Sequence, residues 1–505
     1  MDVATAEPRI ADTARWWERR WLAAVMVLLT ALPFVIPRIP PLVDLPAHMA
    51  RYRVALDLAN SPELQRYFGY HWRLISNLGV DVLVVPLARL VGLEPATKLI
   101  VLLLPMLTAA GLLRVATAAH GRVPPTFWFA LPFALASPLL FGFVNFVLGA
   151  ALALLVFGYW LGRRSPWLLA VAAPVLMIAH LYGWAMLGLM VAGAVLGEGF
   201  AERRPLPRLA RELVLATLPL ATALVLLPFM ARSDGVPFEK WFDLNDKVAW
   251  AMAVLRDRWP AADIGSAVLA LLVIILGWRR LPLKPVLAGP ALLLIAFGLI
   301  LPYKVMGSAF ADMRLYAYAF AIFILAIDSS RLPARTAARV AALGLAFALF
   351  RIGVVTASNL IAAREQASML SALDRVPVGT RLAALVGQDC TDIWQQQRHA
   401  HFASLVTVRR NGFSNDQWPA SGINPLERRY RPPNLFDSDP SELTQPQACV
   451  LSWTVDVALA ALPRDYFDYA LLIGTERPKP ASLAGLTPVW RDDRATLYRV
   501  DHPRR

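Results

Sequence analysis

Residues 143–164 read FVNFVLGAALALLVFGYWLGRR, an apolar run closed by the arginine pair Arg163 and Arg164. A run of this length crosses the hydrocarbon core as a helix, and arginines clustered at its end stay on the cytoplasmic side. The same pattern recurs along the chain. Apolar runs lie near 21–37, 97–117, 125–141, 143–161, 166–180, 181–197, 209–230, 262–278, 286–303, 313–329 and 335–357, so about eleven transmembrane helices are expected between 21 and 357.

Composition agrees. The 505 residues are 57% hydrophobic and 17% charged, with a positive mean hydropathy, which excludes a single soluble core. A net charge of +14 would suggest nucleic acid in a soluble protein, but here the arginines flank apolar runs as topology anchors and no basic-aromatic motif accompanies them. No nucleic-acid partner is expected. The first run follows Arg15, Trp16, Trp17, Glu18, Arg19 and Arg20 without a small-residue cleavage site, so residues 1–20 read as a cytoplasmic N-terminus before a retained helix.

A weaker run at 78–92, interrupted by Asp81 and Pro86, decides the sidedness of everything after it. If it does not cross, Arg114 with Arg122, Arg163 with Arg164, the cluster Arg203, Arg204, Arg208 and Arg211, Arg279 with Arg280, and Arg331, Arg335 and Arg339 all lie on the cytoplasmic face with the N-terminus. If it crosses, Arg163 and Arg164 move outside and 166–197 must fuse into one very long helix. The first solution is simpler. It makes 38–95 one long external loop, with 78–92 lying in or dipping into the interface, and places the turns at 142–145 and 180–183, the segments 231–260 and 304–312, and the C-terminal tail outside.

Beyond residue 358 charge and proline rise and apolar runs shorten to strand length, at Arg381–Gly387, Ser404–Arg409, Cys449–Val455 and Tyr469–Gly474. Residues 486–500 read as a hairpin turning at Asp492 and Asp493, and 411–446 as a long ordered or disordered loop. An extracytoplasmic α/β domain over 358–505 is therefore expected. Cys390 and Cys449, the two cysteines, both fall in it, either joined in an oxidising compartment or left as separate thiols.

Chemistry-bearing residues gather on the external face. After the first run the chain reads Pro40, Pro41, Leu42, Val43, Asp44, Leu45, Pro46, Ala47, His48. Pro46 opens a helix on which Met49, Tyr52, Leu56 and Ala59 recur opposite Arg51, Arg53 and Asp57, an amphipathic helix expected along the outer membrane surface. Asp44 is either a helix N-cap or a general base at the water–lipid boundary, two roles that are compatible. His48, one turn on, either packs against headgroups or orients Asp44 or an acceptor. Further along, His180, Tyr182 and Trp184 occupy a turn between apolar runs, and Lys304, Asp312 and Arg314 cluster at outer helix ends. Arg314 suits bidentate phosphate recognition, with an ion pair to Asp312 as the alternative. Asn145, Asp81 and Lys240 with Trp241 read first as structural. Phosphate-binding glycine loops and zinc spacings are absent, and an Asp–His pair supplies too few ligands to claim a divalent metal, which stays possible.

This layout, with the motif Asp44-Leu45-Pro46-Ala47-His48 in the first external loop, resembles the GT-C superfamily of membrane glycosyltransferases, which includes the protein mannosyltransferases and the aminoarabinose transferases. The resemblance implies a polytopic helical membrane domain followed by an extracytoplasmic domain, and transfer of a sugar from a polyprenyl-phosphate donor to a glycan, lipid or protein acceptor. By it Asp44 takes the place of the catalytic acid and a bacterial inner (plasma) membrane is the expected location. The family's commoner patterns have two acidic residues adjacent or one apart; this chain has one. The competing readings are a transporter or flippase of lipid-linked saccharides, which needs polar residues lining a path across, and a non-catalytic envelope assembly protein.

Overall fold

The computed structural model describes residues 15–231, 238–305, 308–390, 394–418, 424–438, 442–449, 453–474 and 476–502. Each of the eleven apolar runs is helical. Among the described residues six helices are long and apolar enough to cross a membrane: Leu93–His120, Val144–Arg163, Leu181–Ala201, Leu206–Phe229, Pro260–Arg280 and Ala334–Leu373. Five more segments are shorter, Arg20–Leu29, Phe127–Leu140, Pro166–Ala179, Pro285–Ile300 and Tyr316–Ala326. Pro132 and Pro138 account for one of them, because they divide Phe127–Leu140 into short helical pieces. Tyr316–Ala326, apolar all round, spans only about 16 Å at 1.5 Å per residue. It is buried inside the bundle at every position but Phe320. By contrast, Leu206–Phe229 turns Val214, Leu218, Val225 and Phe229 outward, the surface expected of a helix facing lipid.

Helices pack closely where side chains are absent. A Cβ on Gly289 would lie 1.9 Å from the carbonyl oxygen of Gly193, so Leu181–Ala201 and Pro285–Ile300 meet backbone to backbone through small residues.

The doubtful run forms the helix Asp81–Val91, whose 11 residues reach about half the hydrocarbon thickness. Its start is tied to the turn before the helix Leu181–Ala201: the Leu78 amide donates to Ile178 at 3.0 Å, and the Leu181 amide donates to Ser76 at 3.1 Å. Asp81 accepts from Arg51 Nη2 at 2.8 Å and Asn145 Nδ2 at 3.1 Å, while Asn145 Oδ1 accepts from the Val80 amide at 2.5 Å. All three side chains are buried, so Asp81 and Asn145 clamp three segments together, matching their structural reading.

One expectation needs correction. The helix Leu45–Asp57 exists, but its faces are not divided between lipid and water; Leu45 through Tyr52 are all buried, including His48 and Arg51. The reason is cover. The segment 402–410 packs against the helix, and strand Phe68–Tyr70 pairs antiparallel with Leu426–Arg428, so the C-terminal domain sits on the segment 38–95.

That domain is built on a mixed sheet. Arg381–Gly387 runs parallel to Phe413–Ser414, Glu442–Thr444 and Tyr469–Ile473, and the hairpin Leu486–Arg491/Ala495–Val500 completes the sheet antiparallel to Tyr469–Ile473. Asp492 closes the hairpin, its carboxylate accepting from the Arg494 and Ala495 amides. One expected strand is replaced by helix: residues 402–410 are helical, with Leu405 through Val408 all buried rather than alternating. Of the expected strand Cys449–Val455, residues 450–452 lie outside the described residues, Trp453 bridges Thr444 in parallel, and Val455 already opens a helix capped by Thr454. Within 411–446, short strands at Phe413–Ser414, Leu426–Arg428 and Glu442–Thr444 replace a plain loop. Cys390 is disulfide-bonded in a chain of two cysteines; the Cys449 side chain lies outside the described residues.

A buried charged cluster fixes the domain to the bundle. Arg398 donates to Asp257, to the Pro41 carbonyl and to Asn359 Oδ1 at 2.7 Å. Beside it Asp263 accepts from Arg351 at 2.8 Å and from Trp394 Nε1 at 2.9 Å. Removing one partner of such a buried pair leaves the other charge uncompensated, so the cluster holds the domain in one register.

Candidate active site

Asp44 stands at the start of the helix Leu45–Asp57, yet its side chain makes no capping hydrogen bond. Its backbone is pinned instead: the amide donates to Phe141 at 2.9 Å, and a Cβ on Gly142, which has φ +88°, would lie 2.9 Å from the Asp44 nitrogen. Only glycine fits there. The Asp44 carboxyl, fixed at its backbone in this way, is largely buried. Burial pushes its pKa up from 3.8 to about 7, against the opposing field of Arg314.

Facing Asp44 is a residue the sequence did not single out. His401 Nε2 lies 3.7 Å from Asp44 Oδ1, and His401 Nδ1 lies 2.7 Å from the Asp416 carbonyl. Burial holds the His401 ring down to about 4, so it is neutral at physiological pH. The Asp416 carboxylate accepts from the Ser404 amide at 2.9 Å and hydroxyl at 2.7 Å, which fixes the carbonyl that holds His401. Trp418 packs between the two histidine rings, with centroids 4.6 Å from His401 and 5.3 Å from His48. His48 is buried with Nδ1 unpartnered and its side chain makes no bond to Asp44 among the described residues. Its pKa is lowered, first by burial and then by Arg51 and His401.

The second half of the site is Arg314. Its Nε donates to the Phe310 carbonyl at 3.2 Å, and Nη2 to Ser308 Oγ and the Ala309 carbonyl, both at 2.9 Å. The guanidinium lies 4.4 Å over the Phe143 ring and 5.4 Å from that of Tyr182. Nη1 points to His180 Nε2 at 3.4 Å. His180 Nδ1 already accepts from the Tyr182 amide at 3.2 Å, so the proton of the neutral ring sits on Nε2. Two donors therefore face one another and cannot bond to each other. Both are free to donate to one oxygen set to the side of the pair within reach of each, which is the requirement of an anion site. The buried Tyr182 hydroxyl beside them is also unpartnered.

The ion pair between Asp312 and Arg314 does not form. Asp312 turns instead to Lys247, Nζ to Oδ2 at 2.8 Å, and Lys247 also donates to the Leu301 carbonyl. Among the described residues no carboxylate comes within 4.0 Å of Arg314. Lys304 lies in a two-residue strand paired with 238–239. Asp44, His48, His180, Tyr182 and Arg314 thus sit around one region, and Asp312, buried nearby, is held by Lys247. Among the described residues no three His, Cys, Asp or Glu side chains are grouped to hold a metal ion.

No family model and no curated protein matches the chain. Among solved structures, it is similar to ArnT from Cupriavidus metallidurans in the apo state, with 14% identity and TM-score 0.46, over 96% of this chain and 99% of that one. It is likewise similar to the same ArnT bound to undecaprenyl phosphate, with 13% identity and TM-score 0.47 over the same shares.

Proposed function

We propose that the chain is a membrane glycosyltransferase that moves a sugar from a polyprenyl-phosphate donor to a glycan, lipid or protein acceptor on the outer face of the membrane. One observation carries the reading: a desolvated carboxyl, Asp44, lies within electrostatic reach of a buried arginine that, with His180, presents donors to an absent anion. These are the two demands of transfer from a lipid phosphate. The acceptor hydroxyl attacks the anomeric carbon and gives its proton to Asp44. The bond from that carbon to the phosphate oxygen breaks, and its electron pair leaves with the phosphate, whose charge the Arg314 and His180 N–H groups receive. The leaving group needs no protonation, so one carboxylate suffices. His48 and Trp418 form the wall against which a sugar ring would pack, and Tyr182 offers a further hydroxyl to the donor. Lys304 and Asp312 are assigned to the rim.

The arginine clusters support cytoplasmic loops opposite this site, with 38–95 and the domain from 358 on the outer side. Passage of a saccharide through the bundle has less support. Deep charges are paired with each other, Asp81 with Arg51, Asp263 with Arg351 and Asp312 with Lys247.

The donor half is tested by photo-crosslinking with a diazirine-bearing polyprenyl phosphate in nanodiscs. Labelling should map to the segments around His180 and Arg314, and Arg314→Lys should lower it, because an ammonium keeps the charge and loses the fork. Equal labelling of Arg314→Lys and wild type would refute the phosphate assignment.

A further inference from the structure

The C-terminal domain contributes His401, with Asp416 and Trp418 around it, to a site whose Asp44, His180 and Arg314 come from the first 357 residues. Its tautomer follows from its surroundings. A carbonyl oxygen can only accept, so the 2.7 Å contact from Nδ1 to Asp416 requires the proton on Nδ1. Nε2 then carries a bare lone pair, directed at Asp44 Oδ1 from 3.7 Å. A lone pair and a carboxylate facing each other repel unless a hydrogen lies between them. The ring cannot turn to relieve this: Trp418 packs on it, Asp416 is held through Ser404, and Arg398, three residues earlier, is bonded to Asp257 and Asn359.

We propose that His401 is the positioning residue of Asp44, its Nε2 accepting the hydrogen that Asp44 takes from the acceptor hydroxyl. The inference rests on the reading of Asp44 as base. Before transfer Asp44 is a carboxylate; during it the acceptor O–H bond breaks, its proton joins Asp44, and the new hydroxyl turns to Nε2. The proton is thus held away from the glycosidic oxygen just formed. His401 never needs to ionise. The charged and titratable groups that bear on this pair are Arg314, which lowers the proton affinity of Asp44, His48 across Trp418, and Asp416 behind His401, whose carboxyl burial pushes up to about 7. The arrangement also gives the C-terminal domain a task, because a chain without it would carry the base and the anion pocket but no partner for the proton.

The two nitrogens can be separated by substitution. His401→Asn keeps an N–H close to the Nδ1 position and removes Nε2; His401→Gln places its amide near Nε2 and gives up the bond to Asp416. The measurement is infrared titration of the protein in nanodiscs with isotope-labelled aspartate, with Asp44→Asn identifying the Asp44 band. A hydrogen bond to the protonated form raises a carboxyl's pKa. The Asp44 midpoint in His401→Asn should therefore fall by at least about half a pH unit, with His401→Gln recovering part of the shift. An unmoved midpoint in folded His401→Asn would overturn the proposal. Should that variant fail to fold, nitrogen chemical shifts of His401 in the native protein decide: a protonated Nδ1 with an accepting Nε2 is expected, and a proton on Nε2 overturns it. Transfer by Asp44→Asn is measured separately, so a failure of the base and a failure of its partner are told apart.

Discussion

Replacing Asp44 by asparagine should make the protein more stable and inactive together, and the size of the gain follows from the site. The Asp44 side chain is only 16% exposed, and burial lifts its pKa from 3.8 to about 7. Each tenfold change in proton affinity corresponds to about 1.36 kcal/mol, so holding this group ionised in the fold costs up to roughly 4 kcal/mol. The sign follows from linkage. Between about pH 4 and 7 the unfolded chain has released the proton while the fold still holds it, so stability falls as pH rises through that window. Asparagine removes the penalty. Thermal unfolding in detergent should show Asp44→Asn melting above wild type at about pH 8, and the gap should close towards about pH 4. Because the side chain makes no capping bond, Asp44→Ala should also lack the loss of about 1 kcal/mol that a lost cap brings. A wild type that is as stable as Asp44→Asn at about pH 8, or more so, would refute the claim that this carboxylate is held desolvated against its preference.

Three other outcomes follow from the same structure. Reporters fused after Arg164, Arg204, Arg280 and Arg331 should read cytoplasmic and those after residues 240 or 370 external, and an external signal at Arg164 would reverse the sidedness. Thiol labelling of the unreduced protein should find neither cysteine reactive, and reduction should cost roughly 4 kcal/mol if chain entropy sets the bond's contribution; free labelling of both thiols would contradict this. Lys247→Ala should destabilise the folded chain by about 3–5 kcal/mol in thermal or denaturant unfolding, since it strands the buried Asp312, and Lys247→Ala with Asp312→Ala should recover part of the loss.

What the sequence revealed depended on how local each signal was. Apolar runs report their own helices, so the membrane segments were legible, as were Arg381–Gly387, Tyr469–Ile473 and the 486–500 hairpin. Burial was not. The helix Leu45–Asp57 looked amphipathic because Arg51 reads as solvent-facing, and nothing nearby announces Asp81, 30 residues away, as its buried partner. Residues 404–409 looked like a strand because Val406 and Val408 favour one; tertiary packing on the Leu45–Asp57 helix made them helical. The half of the site contributed by the membrane region was visible as Asp44, His180, Tyr182 and Arg314, polar residues at the ends of apolar runs. His401 was invisible, since it lies 357 positions from Asp44 (401 − 44), in a polar stretch where one more histidine carries no signal. The Asp312–Arg314 alternative failed for a similar reason. Two residues apart is close in sequence, but Lys247 reaches Asp312 first.

The central claim is that Asp44 takes the acceptor proton while Arg314 and His180 hold the donor phosphate. It is tested most directly by sugar transfer from a radiolabelled polyprenyl-phosphate sugar in nanodiscs, with membrane extract as the source of acceptor. Wild type should transfer label with a rate that rises with pH through about 7, as the carboxylate forms. Asp44→Asn, folded and still crosslinking the lipid phosphate, should lose roughly two or more orders of magnitude. Undiminished transfer by Asp44→Asn would contradict the account.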